Sequence, residues 1–134
     1  VWEHHKGQNI TDDDISNALK QRNICMHETD NLFNKFDFLA LPAAQIFPFD
    51  KETDYPKKIG NTELDTYHRW MEVTTLASLL GLPTISVPVG FNKEGLPMGM
   101  QIIAKKGKDL ELVAFAKKYE EIFLFSKYRP KNFN

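Results

Sequence analysis

Thr84-Ile85-Ser86-Val87-Pro88-Val89-Gly90-Phe91, then the turn Asn92-Lys93-Glu94-Gly95, then Met98, Met100, Ile102 and Ala104 at every second position decide the fold. In the first run Ile85, Val87, Val89 and Phe91 point one way, while Thr84, Ser86, Pro88 and Gly90 point the other. The second set is small, so backbone or a helix is expected to pack closely against it. Pro88 cannot donate to a ladder, which places this strand at an edge or a bulge. The turn composition and the alternation after it predict a hairpin.

Working backwards, Gly81-Leu82-Pro83 ends a helix on which Tyr67, Trp70, Met71, Thr74, Ala77 and Leu80 recur at helical spacing. Glycine suits the left-handed cap and proline forbids continuation. Residues 42 to 65 have no sustained period and carry prolines at 42, 48 and 56, so a long loop of the kind that is often functional is expected there. Before it, Phe38-Leu39-Ala40-Leu41 is an unbroken apolar run, suited to a strand covered on both faces.

Thr11-Asp12-Asp13-Asp14 has the form of a capping box and predicts a helix over about residues 12 to 35, with a break allowed near its centre. Ile15, Ala18, Leu19, Arg22, Met26, Leu32, Phe33 and Phe36 would share its inward stripe. Working forwards from the hairpin, Asp109 is expected to cap a last helix whose inward stripe is Leu112, Val113, Ala116, Tyr119, Phe123 and Leu124. Residues 1–10 and 126–134 read as peripheral tails.

The element order predicts an α/β domain, a mixed sheet with helices packed on it. Three strands are few, and an apolar strand wants neighbours on both edges, so the sheet is expected to be completed elsewhere. A chain of 134 residues fits one domain able to bury a core without disulfides. Its single cysteine, Cys25, cannot form an internal bridge, lies on a helix and reads as a small buried hydrophobe; a reducing compartment is the easier home.

Seventeen basic against 18 acidic side chains give a net charge of −1, which argues against a protein that coats polyanions. The first 66 residues hold 12 acidic and 7 basic groups, the rest 6 and 10. The lysines of the second half, at 105, 106, 108, 117, 118, 127 and 131 with Arg129, decorate a helix rather than form a nucleic-acid stripe, and no nucleic-acid partner is expected. No apolar run approaches the ~20 residues that span a bilayer, and no signal-peptide pattern follows Val1-Trp2-Glu3-His4-His5-Lys6, so no membrane association and a cytoplasmic location are expected. Val1 in place of Met fits a processed product, a cloned segment or the tail of something longer.

No constellation supplies chemistry alone. His4 and His5 are adjacent and His27 and His68 scattered, without the i, i+4 pair that aims two imidazoles at one zinc ion. The four serines, Ser16, Ser78, Ser86 and Ser126, lie outside glycine-rich bends, and packing or local hydrogen bonding is the commoner role for each. Asp12, Asp13 and Asp14 are explained by capping, and Asp50, Glu52 and Asp54 by a solvated loop. The seven glycines are dispersed and form no phosphate loop. No catalytic residue, metal or cofactor is expected in this chain.

At Thr66-Tyr67-His68-Arg69-Trp70-Met71-Glu72-Val73-Thr74, Gly81 through Phe91, and Gly95-Leu96-Pro97-Met98-Gly99-Met100-Gln101-Ile102-Ile103, the chain closely resembles the C-terminal part of the amidase signature family. Phe36-Asp37-Phe38-Leu39-Ala40-Leu41-Pro42, Gln45 through Asp50, and Tyr119-Glu120 extend the resemblance to a bacterial branch of general amidases, from about Thr11 to Glu121. It implies a larger α/β/α layered hydrolase that cleaves carbon–nitrogen amide bonds with two serines and a lysine. Those groups belong to the family's earlier half and match nothing here.

The resemblance therefore implies a C-terminal scaffold and pocket segment, inactive alone, whose partners are the missing N-terminal half and a small amide substrate. It places Trp70 and Thr74 at the substrate cleft, although Trp70 and Met71 at helical spacing also fit a core face, the commoner role. Position 78, often asparagine in the family, is Ser78 here, so any side-chain bond made there would be shorter or lost. The alternative is a stand-alone binding module that kept the scaffold, with self-association through an exposed sheet edge.

Overall fold

Thr11 opens the long helix as its neighbours require. The computed structural model describes residues 2–128, so Val1 and the expected tail from Arg129 onward, with Arg129 and Lys131 of the basic set, lie outside the described residues. After a short helix α1 (Trp2–Gly7), helix α2 (Asp12–Phe33) begins on a complete capping box. The Asp14 amide donates to the Thr11 hydroxyl oxygen at 3.2 Å, and the Thr11 amide and hydroxyl donate to Asp14 Oδ2 at 2.9 and 2.6 Å. The helix runs without the break that its sequence allowed.

Its expected inward stripe is not inward throughout. Ile15, Leu19 and Leu32 are exposed, whereas Thr29 and Phe33 are buried and Cys25 is half-buried. Thr29 satisfies its hydroxyl by donating to the Cys25 carbonyl at 2.8 Å. The chain divides into two compact units between Lys35 and Phe36, and every strand lies in the second.

Three strands form one sheet in the order β1 (Phe38–Pro42), β5 (Pro97–Ala104), β4 (Thr84–Phe91), and both pairings are antiparallel. β5 is central, and its residues 101 to 104 are all buried. β1, expected to be covered on both sides, is instead an outer strand with Ala40 and Pro42 exposed. Two unpaired edges remain among the described strands, and the one on β4 bears the anticipated irregularity. Pairing slips between Pro88 and Gly90, so Val89 bulges outward and is 43% exposed.

Register sorts the sheet into two faces. Ile85, Val87, Met100, Ile102, Ala104 and Phe38 form one, covered by helix α4 (Asp109–Phe123) through Leu112, Phe115, Ala116 and Tyr119. Phe115 is an inward residue that the sequence pattern omitted, and Val113 and Phe123, assigned inward by it, are more than half exposed. Asp109 occupies the first helical position rather than the cap, where its charge still faces the positive end of the dipole.

The other face carries Thr84, Ser86, Gln101 and fully buried Ile103. Here the expected single helix begins as a 3-10 helix (Tyr67–Thr74) and becomes α3 only over Thr75–Leu80. The cause is local: the Thr74 hydroxyl donates to the Met71 carbonyl at 2.8 Å and that of Thr75 to the Glu72 carbonyl at 2.7 Å. Bonds three residues back favour the tighter winding. Gly81, at φ 64 and ψ 41, closes α3 in the left-handed cap. The loop before this helix holds a small hairpin, β2 (Lys58–Ile59) with β3 (Thr62–Glu63). Helix, sheet and helix thus make an α/β layered unit.

Candidate functional site

The small-residue face of β4 borders a cleft. Thr84 and Ser86 line it with Ala77, Ser78, Gly81 and Leu82 from α3 and its cap, Thr74 from the 3-10 helix, Ala43 after β1, and Gln101 from β5. The space is about 480 Å³. It exists because the residues facing it are small. Gly99 allows part of this approach: a Cβ there would meet both Ala43 Cβ and Ser86 Oγ at 3.1 Å.

Gln101 is the polar residue in an otherwise apolar strand end, and it is 5% exposed. Its Nε2 donates to the Pro42 carbonyl at 2.8 Å and to the Val73 carbonyl at 3.0 Å. The Val73 amide in turn donates to Gln45 Oε1 at 3.0 Å. Two glutamines therefore hold both backbone groups of Val73, and they fix Thr74 next to it at the cleft. The buried Gln101 amide, with both N–H groups paired, resists rotation.

Arg69 stiffens the start of the same helix. Its guanidinium donates to Glu72 at 2.9 Å and to Asp65 at 3.1 Å, and these partners, Glu72 first, hold its pKa above the ordinary arginine value.

Of the two residues expected at a substrate cleft, Thr74 lines the space beside β4, and Trp70 lies elsewhere. Trp70 is half-buried in an aromatic group, edge-on to Phe49 with centroids 5.6 Å apart and to Tyr67 at 6.2 Å. Tyr67 meets Tyr55 at 5.3 Å, and the Lys57 ammonium lies 3.2 Å from the centre of the Tyr55 ring. The indole Nε1 of Trp70 is buried without a hydrogen-bond partner among the described residues.

Pattern reading passed over Gln101, Thr84, Ser78 and Ser86 as site residues. The signal available was the small, polar face of the first hairpin strand and one glutamine inside an apolar run. That the two converge is a matter of pairing, since Ser86 stands opposite Gln101 in the register.

Chemically the cleft offers hydroxyls, one amide and apolar walls. Among the described residues, no lysine, histidine or carboxylate lines it, so none of them is a base there to activate Ser78 or Ser86. A hollow along α2 does combine Ser16, His27 and Glu28. Eleven residues of helix separate Ser16 from His27 by about 16 Å, far beyond hydrogen-bond reach. Among the described residues, no group of three or more His, Cys, Asp or Glu could hold a metal ion, and no helix is long and apolar enough to cross a membrane.

Comparison with known proteins matches residues 2–113 to the model of the Amidase family. The chain is 34% identical over 123 residues to a fatty acid amide hydrolase of Medicago truncatula, covering 92% of this chain and 20% of that protein. It is 35% identical over 98 residues to a glutamyl-tRNA(Gln) amidotransferase subunit of Borreliella afzelii, covering 72% of this chain and 19% of that protein. Among solved structures it superposes on a bacterial aryl acylamidase of the amidase signature enzymes with a TM-score of 0.83 and 29% identity, over 94% of this chain and 27% of that one. The chain thus spans about a fifth of the length of these curated relatives.

Proposed function

The chain belongs to the amidase signature family, and from that premise we propose that it is the C-terminal scaffold and pocket wall of a hydrolase that cleaves carbon–nitrogen amide bonds. The observation that carries this reading is the cleft beside β4. It has hydroxyls, a pinned glutamine and apolar walls, but among the described residues no base to turn a hydroxyl into a nucleophile. Such a surface supplies shape and hydrogen bonds to a substrate. Bond cleavage also needs an activated nucleophile and donors for the developing oxyanion, which the missing N-terminal half of the enzyme would bring.

In this reading Thr74 belongs to the pocket wall itself, and Trp70 belongs to an aromatic flank that receives the apolar part of a small amide. No cofactor or metal takes part, no nucleic acid or membrane is a partner, and the enzyme works in the cytoplasm. The names of two relatives, a fatty acid amide hydrolase and an aryl acylamidase, have the amide in common and differ in what it carries.

The test joins this chain to a segment that carries the lysine and the glycine- and serine-rich loop of an amidase. Release of amine from an aryl or aliphatic amide should appear for the pair and be absent for the 134-residue chain alone. Turnover by the chain alone, abolished by Ser78→Ala or Ser86→Ala, would refute the claim that it lacks the reacting groups.

A second reading is favoured by the sheet edges left unpaired among the described strands, which suit a binding module that associates with itself or a partner through β1. Sedimentation would support it if the chain were a stable dimer that Leu39→Pro converted to monomer.

A further inference from the structure

Resting on the amide-cleaving reading, we propose that Gln101 presents its side-chain oxygen to the cleft as the acceptor for the N–H of a bound carboxamide. Nε2 of a glutamine has two hydrogens, and here both are engaged, by the Pro42 carbonyl at 2.8 Å and the Val73 carbonyl at 3.0 Å. Reversing the amide would set Oε1 against two carbonyl oxygens, so repulsion decides which end is which. The oxygen cannot turn away.

Nothing among the described residues donates to Gln101 Oε1. It is not sealed in either, because the buried side-chain nitrogen or oxygen without a partner among those residues is Trp70 Nε1. The open space that Gln101 borders is the cleft. A fixed, unpaired acceptor is thereby offered at its wall, with no reorganisation needed on binding.

The other polar groups of the cleft complete the complement of an amide. Thr74 and Thr84 spend their hydroxyl protons on the carbonyls of Met71 and Leu82. The hydroxyls of Ser78 and Ser86 have no partner among the described residues and are free to donate to a ligand carbonyl. An amide needs one acceptor for N–H and one donor for C=O. Gln101 with either serine provides both, whereas an ester would leave the Gln101 oxygen unsatisfied. Sites built this way discriminate by the unpaired group that the wrong ligand leaves behind.

Nuclear magnetic resonance of the 15N-labelled 134-residue chain tests this with three probes: benzamide, methyl benzoate and N,N-dimethylbenzamide. Benzamide should shift the Gln101 side-chain amide and the Thr74 and Ser86 backbone amides in a saturable way, and the two probes without N–H should bind about tenfold more weakly or worse. In Gln101→Met the preference should vanish. Should that variant not fold, the three probes on the unaltered chain still decide. Equal binding of all three, no response at Gln101, or shifts confined to Trp70 and Phe49 would overturn the proposal. Restored hydrolysis in the joined enzyme without a benzamide response at Gln101 sinks this inference alone; a response at Gln101 without restored hydrolysis supports it and sinks the hydrolase reading instead.

Discussion

The phenol of Tyr119 donates to the carbonyl of Pro88 at 2.8 Å, so helix α4 is tied to the one irregular point of strand β4. Pro88, still opposite Gly99, is the last paired residue before the slip, and Val89 is left without a partner. The phenol anchors the strand beside the point where pairing slips. Its ring also sits in a row with Phe115, stacked at 6.2 Å between centroids, and Phe123, tilted at 4.5 Å.

Tyr119→Phe keeps that row and removes the bond. It should lower stability by about 1 kcal/mol in urea unfolding. Amide exchange at residues 88 to 91 should speed up more than at 84 to 87. A uniform increase along β4 would show that the bond does not act on the bulge.

Gly99→Ala introduces a methyl group 3.1 Å from both Ala43 Cβ and Ser86 Oγ. Overpacking of this kind costs about 1 to 3 kcal/mol. Ser86→Gly in the same chain removes one of the two obstacles and should recover part of the loss. A double variant no more stable than Gly99→Ala would place the strain elsewhere.

Ile103 is fully buried on the central strand, while Val113 on α4 is 59% exposed. Ile103→Ala should therefore cost about 2 to 5 kcal/mol in thermal or urea unfolding. Val113→Ala should stay within about 0.5 kcal/mol, although periodicity alone places it inward. Equal losses would mean that Val113 is covered.

The capping box makes α2 sensitive to acid. Hydrogen bonds from the Thr11 side chain and then its backbone hold the Asp14 pKa below the ordinary aspartate value of about 3.9. A carboxylate whose pKa is depressed on folding stabilises the helix above the unfolded value, and the effect is lost as pH falls through the folded one. Circular dichroism should accordingly show α2 fraying below about pH 3.9. Thr11→Ala should weaken the helix at neutral pH and flatten that acid response. An unchanged titration in Thr11→Ala would separate Asp14 from the cap.

Sequence patterns were legible wherever a few neighbouring residues settle the outcome. The hairpin of β4 and β5, the Gly81 cap, the Thr11 to Asp14 box and the irregularity at Pro88 are all local, and each stands where the residues placed it. The tight winding of Tyr67–Thr74 was encoded too, in Thr74 and Thr75, but helical spacing does not separate a 3-10 helix from an α-helix. Thr74 lines the cleft beside β4, and Trp70, one turn away, packs in the aromatic group; a spacing rule names a stripe and not what lies opposite it.

By itself, the amino-acid order determined the main helices and the β4–β5 hairpin, the layered α/β class and the family likeness, since period, capping and turn chemistry act over a handful of positions. Only the tertiary structure decided the site. Gln101 meets the Val73 carbonyl across 28 positions and the Pro42 carbonyl across 59, and such meetings are set by strand order and the packing of small side chains, which no local pattern contains.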